Sequence, residues 1–444
     1  MKNPVVINNK IKPYIKIIKN ITGDKSISIR FLILSSLAHG KSVAYNLSNA
    51  QDIINTLKCI RKFGIKIKIK KKICEVYGNG LYGYEYKNNM NLDAGNSGTA
   101  ARLLSAILIN SPKYIRVTGD NSLKKRDMKR IVDPLKEFGA LFKIKKNTLP
   151  FLIKGTKFIR PINYNETKGS AQCKSSVMLA ALFAPGITNL KCVKSRDHTE
   201  LFFKNAINVP IKVKKNEKFD FIKVEGRKNF KSFSYNIPGD ISSAAFFIVL
   251  TTLNKNSSLT IKNVNINPSR IGMIKILNLM GAKIYFRNER KYKGEKVGDI
   301  HIKSVKKLKS INCPKKFNSS AIDEMLLLFL ASSVAKGTSI FRGLEELNKK
   351  ESKRLDWGIK ILKMIGVKTN KISNHGIKIY GNPNLQLKKT YRIKSYLKDH
   401  RIYMLAVIAG LTLGGKWIIN DPDSIKTSFP SFNKLVMKLG AKIN

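Results

Sequence analysis

Gly239-Asp240-Ile241-Ser242-Ser243-Ala244-Ala245-Phe246-Phe247-Ile248-Val249-Leu250 places a glycine and an aspartate directly before an apolar run that carries no charge. That is the pattern of a helix that starts at a polar surface, capped by a short acceptor side chain, and continues into a core. Five further openings resemble it: Gly23-Asp24-Lys25-Ser26, Gly95-Asn96-Ser97-Gly98-Thr99, Gly169-Ser170-Ala171-Gln172, Ile322-Asp323-Glu324 and Lys398-Asp399-His400-Arg401. Successive openings lie 70 to 83 residues apart. A second series interleaves with them: Phe63-Gly64-Ile65, Phe138-Gly139-Ala140, Met280-Gly281-Ala282, Ile365-Gly366-Val367 and Leu439-Gly440-Ala441, with Asn208-Val209-Pro210 where the remaining glycine would fall. Recurrence at such a period marks a fold assembled from repeated supersecondary units.

Within each unit the periodicity predicts a helix after the polar opening, short strands, a second helix ending near the glycine, and a strand beyond it. Ser26–Leu37 reads as a first helix, with Ile27, Phe31, Leu34 and Leu37 at helical spacing. Val132–Phe138 and Ile271–Met280 read as second helices closed by a glycine that can take the left-handed conformation. Three units fill about half the chain. The expected fold class is therefore α/β (α+β), with two similar domains of three units each and a cleft into which helix N-termini point. Tyr235-Asn236-Ile237-Pro238-Gly239-Asp240 supplies the boundary signal. The expected division is 22–236 for one lobe and 1–21 plus 237–444 for the other, joined by two crossing segments.

Composition narrows the function classes. The chain of 444 residues carries 84 Lys and Arg against 28 Asp and Glu, a formal charge of +56. A field of that sign attracts polyanions without any specific site. Lysine exceeds arginine, however, isoleucine and asparagine are abundant, and the lysines are spread from end to end, as compositional drift in an AT-rich genome produces. Lys66-Ile67-Lys68-Ile69-Lys70-Lys71-Lys72 alternates as a strand with one solvated face does. The five cysteines form no C-x-x-C pair and the five histidines no H-E-x-x-H, which argues against structural zinc, a redox dithiol or a disulfide framework. Neither an apolar signal-like start nor a stretch of 18 uncharged apolar residues occurs, so a cytoplasmic setting without membrane association is expected.

The openings are also where the chemistry gathers. Each helix N-terminus carries roughly half a positive charge and free backbone N–H groups, so several of them converging would form an anion site. Lys25, Arg30, Arg102, Arg126, Lys350, Arg354 and Arg401 lie beside these openings. Two carboxylates stand out against the basic background. Asp323 opens the apolar Met325–Leu330 run, and Glu351 lies between Lys350 and Arg354. Capping and an intrahelical ion pair would also account for them. A carboxylate near apolar surface can equally move a proton.

Taken together, Gly23–Ser28, Asp93–Thr99, Ser170–Ser175, Ser195–Glu200, Pro238–Ala245, Lys350-Glu351-Ser352 and Asp399-His400-Arg401 closely resemble the motifs of the 5-enolpyruvylshikimate-3-phosphate synthase family, in order and over essentially the whole chain. The resemblance implies two domains of three βαβαββ units. It also implies transfer of the enolpyruvyl group of phosphoenolpyruvate to the 5-hydroxyl of shikimate 3-phosphate, by a monomer that needs no metal or organic cofactor. Carried over by position, Lys25, Ser26, Arg30, Ser170, Ala171, Gln172, Ser195, Asp323 and Lys350 would hold shikimate 3-phosphate. Lys25, Gly98, Arg126, Gln172, Arg354 and Arg401 would hold phosphoenolpyruvate. Asp323 would take the hydroxyl proton, while Glu351, assisted by Lys25, would protonate the methylene carbon.

The family pattern is not met everywhere. Ile29, Asp127, Lys353 and Lys398 replace the histidine, proline, aspartate and glycine common at those places, and Asn348-Lys349 replaces Arg-Val. Thr427 stands where one branch of the family has a lysine, with Lys426 beside it as a further candidate. Two rival readings remain at this point: a UDP-N-acetylglucosamine enolpyruvyl transferase, which would need a Lys-Asn pair and a reactive loop cysteine, and a basic nucleic-acid-binding protein.

Overall fold

The computed structural model describes residues 3–444 and resolves into two compact units. One gathers the chain up to Thr22 with Pro238–Lys291 and Lys296–Asn444; the other comprises Gly23–Ile237 and the short stretch Tyr292–Glu295. Each has its own hydrophobic core.

The unit around Gly23–Ile237 holds three four-stranded sheets with one repeated topology. In the first, Ser234–Asn236 runs parallel to His39–Tyr45, which pairs antiparallel with Ile73–Asn79, itself antiparallel to Lys66–Lys70. Asn91–Asp93, Ile115–Thr118, Phe151–Lys154 and Leu141–Lys143 repeat that order. So do Asn163–Glu166, Ile187–Val193, Phe219–Glu225 and Ile211–Lys215.

The other unit follows the same plan. Ile15–Ile18 lies parallel to Ser258–Asn265, followed by Glu295–Lys303 and Lys283–Tyr292. Leu308–Lys309, Ala335–Phe341, Ile377–Gly381 and Thr369–Lys371 form the next sheet. In the last, Leu387–Ile393 is parallel to Gly414–Ile419 and the chain start contributes Val5–Ile7, whose Val6 exchanges two backbone hydrogen bonds with Asn444. The strands that precede two of the opening helices are thus exchanged: Ile15–Ile18 pairs with a strand that follows Asp240, and Ser234–Asn236 with one that follows Asp24.

Every predicted opening starts a helix. These are Lys25–Ser36, Gly98–Ile107, Ala171–Ala181, Ile241–Leu253, Met325–Ser333 and His400–Leu413. They are apolar on almost every side, as central core helices are, and nearly all their residues beyond the first turn are buried. Side chains of Asp24, Ser97, Ser170, Asp240 and Asp399 cap five of them by accepting a backbone N–H. The second helices are Gln51–Arg61, Lys129–Glu137, His198–Asn205, Gly272–Leu279, Arg354–Met364 and Phe432–Lys438, each buried on one face only.

Their ends explain the interleaved glycines. Gly64, Gly139, Gly281, Gly366 and Gly440 all have φ between +79° and +110°, where a Cβ is costly. Asn208 takes that place in the remaining unit at φ +51°, and asparagine is the non-glycine residue best suited to it.

Three sequence expectations shift in detail. The first helix starts at Lys25 and ends at Ser36, the helix read from Val132 starts at Lys129, and the helix read from Ile271 spans Gly272–Leu279. Asp323 does not cap the helix it precedes. It sits in the turn between the Asn318–Ala321 helix and Met325–Ser333, and Glu324 occupies the cap position without a capping bond. In the basic Lys66–Lys70 strand only Ile67 is buried, because the strand lies at a sheet edge.

Candidate functional site

In the unit around Gly23–Ile237, side chains tie the three helix starts together. Arg30, one turn into its helix, is 4% exposed. Its Nε donates to Thr199 Oγ1 (2.7 Å), its Nη2 to Ser175 Oγ (2.7 Å) and its Nη1 to the Ser26 carbonyl (3.1 Å). Burial pulls the Arg30 guanidinium down to about 10, with Glu200 and Asp24 opposing the shift. Gln172 joins the other two helices: its Oε1 accepts from Arg102 Nη1 (2.8 Å) and its Nε2 donates to Thr99 Oγ1 (2.7 Å). Lys25 Nζ meets Asp52 Oδ2 at 2.7 Å.

Of the remaining candidates of this unit, Gly98, Ser170 and Ala171 fall on these helix starts, while Arg126 and Ser195 precede the helices Lys129–Glu137 and His198–Asn205. Gly98 begins its helix, and a methyl group there would lie 2.7 Å from Arg102 Nη1 and 2.9 Å from Arg126 Nη1. The absent side chain makes room for both guanidinium groups. Ser170 caps the helix that Ala171 begins. Ser195 Oγ is buried with no hydrogen-bond partner among the described residues, a donor that a bound oxyanion would satisfy. Asp127 spends one oxygen on the Lys129 amide, and its carbonyl accepts from Arg102.

The other unit gathers its candidates around Arg354, whose side chain is 2% exposed. Arg354 Nε donates to Asp399 Oδ2 (2.9 Å) and Nη2 to Asp399 Oδ1 (3.2 Å), while Ser352 Oγ adds 2.8 Å to the same carboxylate. Glu351 pairs with Arg354 Nη2, and Asp323 Oδ1 lies 3.6 Å from Nη1 and 3.3 Å from Lys350 Nζ. Arg401 Nη1 donates to the Asp323 carbonyl (2.7 Å) and lies 3.6 Å from Glu324 Oε1, which in turn accepts from Ser242 Oγ (2.5 Å). Asp323, Lys350, Glu351, Arg354 and Arg401 therefore form one cluster at the starts of three helices. Burial alone would raise the Asp399 carboxyl; the Arg354 guanidinium more than reverses this and holds it below the usual carboxylate range. Lys426 stands apart, exposed and paired with Asp423 at 3.1 Å. Lys353 points into solvent at the start of its helix.

The sequence does not announce Asp52, Thr199, Ser175 and Glu324 as partners of these groups. A carboxylate among so many lysines was the available signal for Asp52 and Glu324. Serine and threonine in helix starts gave none.

Comparison with known proteins decides the family. The family model for EPSP synthase (3-phosphoshikimate 1-carboxyvinyltransferase) matches residues 9–435. The chain belongs to the EPSP synthase family. A 3-phosphoshikimate 1-carboxyvinyltransferase of Ruthia magnifica is 40% identical over 425 residues, covering 96% of this chain and 95% of the relative. That of Endomicrobium trichonymphae is 38% identical over 425 residues, covering 95% and 97%. The solved EPSP synthase of Acinetobacter baumannii superposes with a TM-score of 0.86 at 33% identity, covering 100% of this chain and 99% of that one. The enolpyruvyl transferase NikO of Streptomyces tendae shares the fold, with a TM-score of 0.79 at 13% identity.

The cysteines fit EPSP synthases rather than the rival transferase. All five are buried, and burial pushes the thiols of Cys59, Cys74 and Cys192 up to about 12 and that of Cys313 to about 11. Such thiols are poor nucleophiles and poor acids near neutral pH. Among the described residues no helix is long and apolar enough to cross a membrane.

Proposed function

We infer that the chain catalyses transfer of the enolpyruvyl group of phosphoenolpyruvate to the 5-hydroxyl of shikimate 3-phosphate, releasing inorganic phosphate, in the route to chorismate and the aromatic amino acids. The full-length membership in the EPSP synthase family carries this reading. Shikimate 3-phosphate is assigned to Lys25, Ser26, Arg30, Ser170, Ala171, Gln172, Ser195, Asp323 and Lys350. Phosphoenolpyruvate is assigned to Lys25, Gly98, Arg126, Gln172, Arg354 and Arg401. Both substrates are multiply anionic, and hydrogen bonds to charged groups contribute roughly 1.5–3 kcal/mol each, so clustered guanidinium and ammonium groups can hold them despite their mutual repulsion.

In the addition step Asp323 removes the proton of the attacking hydroxyl, and the oxygen bonds to C2 of phosphoenolpyruvate. Glu351, with Lys25, delivers a proton to C3, giving a tetrahedral intermediate. Elimination reverses the proton transfers: Glu351 takes a proton back from the new methyl group, the C2–O bond to phosphate breaks, and the leaving phosphate accepts the proton held by Asp323. The contacts of Asp323 with Lys350 and Arg354 and of Glu351 with Arg354 support these roles, because both carboxylates are held beside Arg354, a cation itself anchored by Asp399.

We further propose that the enzyme acts as a cytoplasmic monomer on these small molecules and that its net charge serves no specific nucleic acid. Mass analysis of the product tests the reaction. The enolpyruvyl ether of shikimate 3-phosphate should form only when both substrates are supplied, and its absence with folded protein would contradict the assignment.

A further inference from the structure

Resting on that reading, we propose that Glu295 is a positioning residue for the shikimate 3-phosphate subsite, acting through His198 on the Ser195–Thr199 segment. Glu295 is far in sequence from every motif residue it serves, and it reaches them at the tip of a β-hairpin. Lys283–Tyr292 and Glu295–Lys303 are joined by the two residues Lys293 and Gly294, at φ +47° and +82°. Both central residues at positive φ make a tight hairpin turn of the kind that favours glycine.

The tip is seated on helix His198–Asn205. A methyl group on Gly294 would lie 2.5 Å from Asn205 Nδ2 and 3.0 Å from Leu201 Cδ2, two side chains one turn apart on that helix. Tyr292 Oη accepts from the Asn236 amide (2.9 Å), and its ring meets Tyr235 edge-on at 5.3 Å. Tyr235 in turn stacks on Phe202 of the helix, 4.6 Å between centroids. This seating delivers the Glu295 carboxylate to the first residue of the helix. His198 Nδ1 and Glu295 Oε1 are 2.6 Å apart and both side chains are fully buried. A carboxylate accepts, so the proton lies on Nδ1 and the ring is fixed in orientation.

The consequence reaches the substrate residues. Thr199, next in the helix, accepts from Arg30 Nε and donates to Ser175 Oγ at 2.7 Å, and that serine also accepts from Arg30 Nη2. Ser195 lies three residues before His198. The His198–Glu295 bond thus pins the start of the helix whose Thr199 holds the Arg30 guanidinium and whose preceding loop carries Ser195. A buried carboxylate on an imidazole, with no proton to move in the reaction, serves orientation.

The test uses the full chain with Glu295→Ala, Glu295→Gln and His198→Asn, measuring shikimate 3-phosphate binding alone by calorimetry and both KM values by steady-state kinetics. Glu295→Ala should raise the shikimate 3-phosphate Kd and KM by about tenfold, the worth of one charge-assisted hydrogen bond, and leave kcat and the phosphoenolpyruvate KM within about twofold. Glu295→Gln keeps an oxygen acceptor and should recover most of the loss. His198→Asn keeps an N–H donor near Nδ1 and should follow it, which preserves the test if the alanine variant does not fold. Unchanged shikimate 3-phosphate binding in Glu295→Ala, equal losses for both substrates, or a glutamine variant as poor as alanine would overturn the inference. Wild-type protein that fails to bind shikimate 3-phosphate would overturn the functional reading and this inference with it.

Discussion

Replacing Asp399 with alanine removes one carboxylate that accepts from four donors at once. These are Arg354 Nε at 2.9 Å, Arg354 Nη2 at 3.2 Å, Ser352 Oγ at 2.8 Å and the Arg401 amide at 3.0 Å. The Arg354 side chain is 2% exposed and cannot turn to water, so the substitution leaves a buried guanidinium offset, among the described residues, by Glu351 and Asp323. Breaking a buried ion pair from one side costs about 3–5 kcal/mol, and losing the helix cap, about 1 kcal/mol, falls within that range because the contributions overlap. Asp399→Asn keeps the shape and the cap and should lose about 1–3 kcal/mol.

The assay follows from where tryptophan lies. The chain has two, Trp357 and Trp417, both in the same unit as Asp399. Urea unfolding followed by tryptophan fluorescence therefore reads that unit and avoids treating the whole chain as two-state. The pH dependence has a definite sign. Because the folded carboxyl is held below its ordinary value near about 4, its stabilisation is complete above that pH and is lost as pH falls through the folded value. The gap between wild type and Asp399→Asn should accordingly close below about pH 4. A loss under about 1 kcal/mol for Asp399→Ala would refute the argument that this carboxylate neutralises a buried guanidinium.

Gly98→Ala should leave the fold intact but displace Arg102 and Arg126, raising the phosphoenolpyruvate KM by about tenfold, with a smaller effect on shikimate 3-phosphate; steady-state kinetics with each substrate varied checks this. Lys174 is fully buried, 2.6 Å from Glu200 and 3.9 Å from Asp220. Burial alone would lower its pKa, but Glu200 more than offsets this and raises it. Lys174→Met would leave two buried carboxylates without their cation and should cost about 3–5 kcal/mol. The loss should appear in near-ultraviolet circular dichroism of tyrosine, since the Lys174 unit has no tryptophan. Lys398 stands at φ +55°, so Lys398→Gly should stabilise the protein by about 1 kcal/mol in the same fluorescence-monitored titration as Asp399.

The readable part of this protein was local. A cap residue, an apolar run and a terminal glycine lie within a dozen residues of one another, so the openings at Asp24, Ser97, Ser170, Asp240 and Asp399 announced their helices. Asn208 could be matched to the glycine series because asparagine tolerates the same conformation. Asp323 was displaced from the cap because the short Asn318–Ala321 helix, with no periodic signal of its own, precedes it. Partners joined only by tertiary structure left no trace. Nothing in the sequence couples Lys25 to Asp52, Arg354 to Asp399 or His198 to Glu295, and Lys174 could not be told from the surface lysines around it. The family resemblance supplied roles that periodicity could not, and the side-chain geometry supplied the contacts on which those roles depend.

The most direct measurement is the rate of phosphate release from phosphoenolpyruvate, with and without shikimate 3-phosphate, for the wild type and Glu351→Gln. Release is expected only when both substrates are present, with a loss of about a hundredfold or more in the variant, since a positioned acid contributes about 10²–10⁴-fold. Release that ignores shikimate 3-phosphate, or a Glu351→Gln enzyme as fast as wild type, would contradict this mechanism.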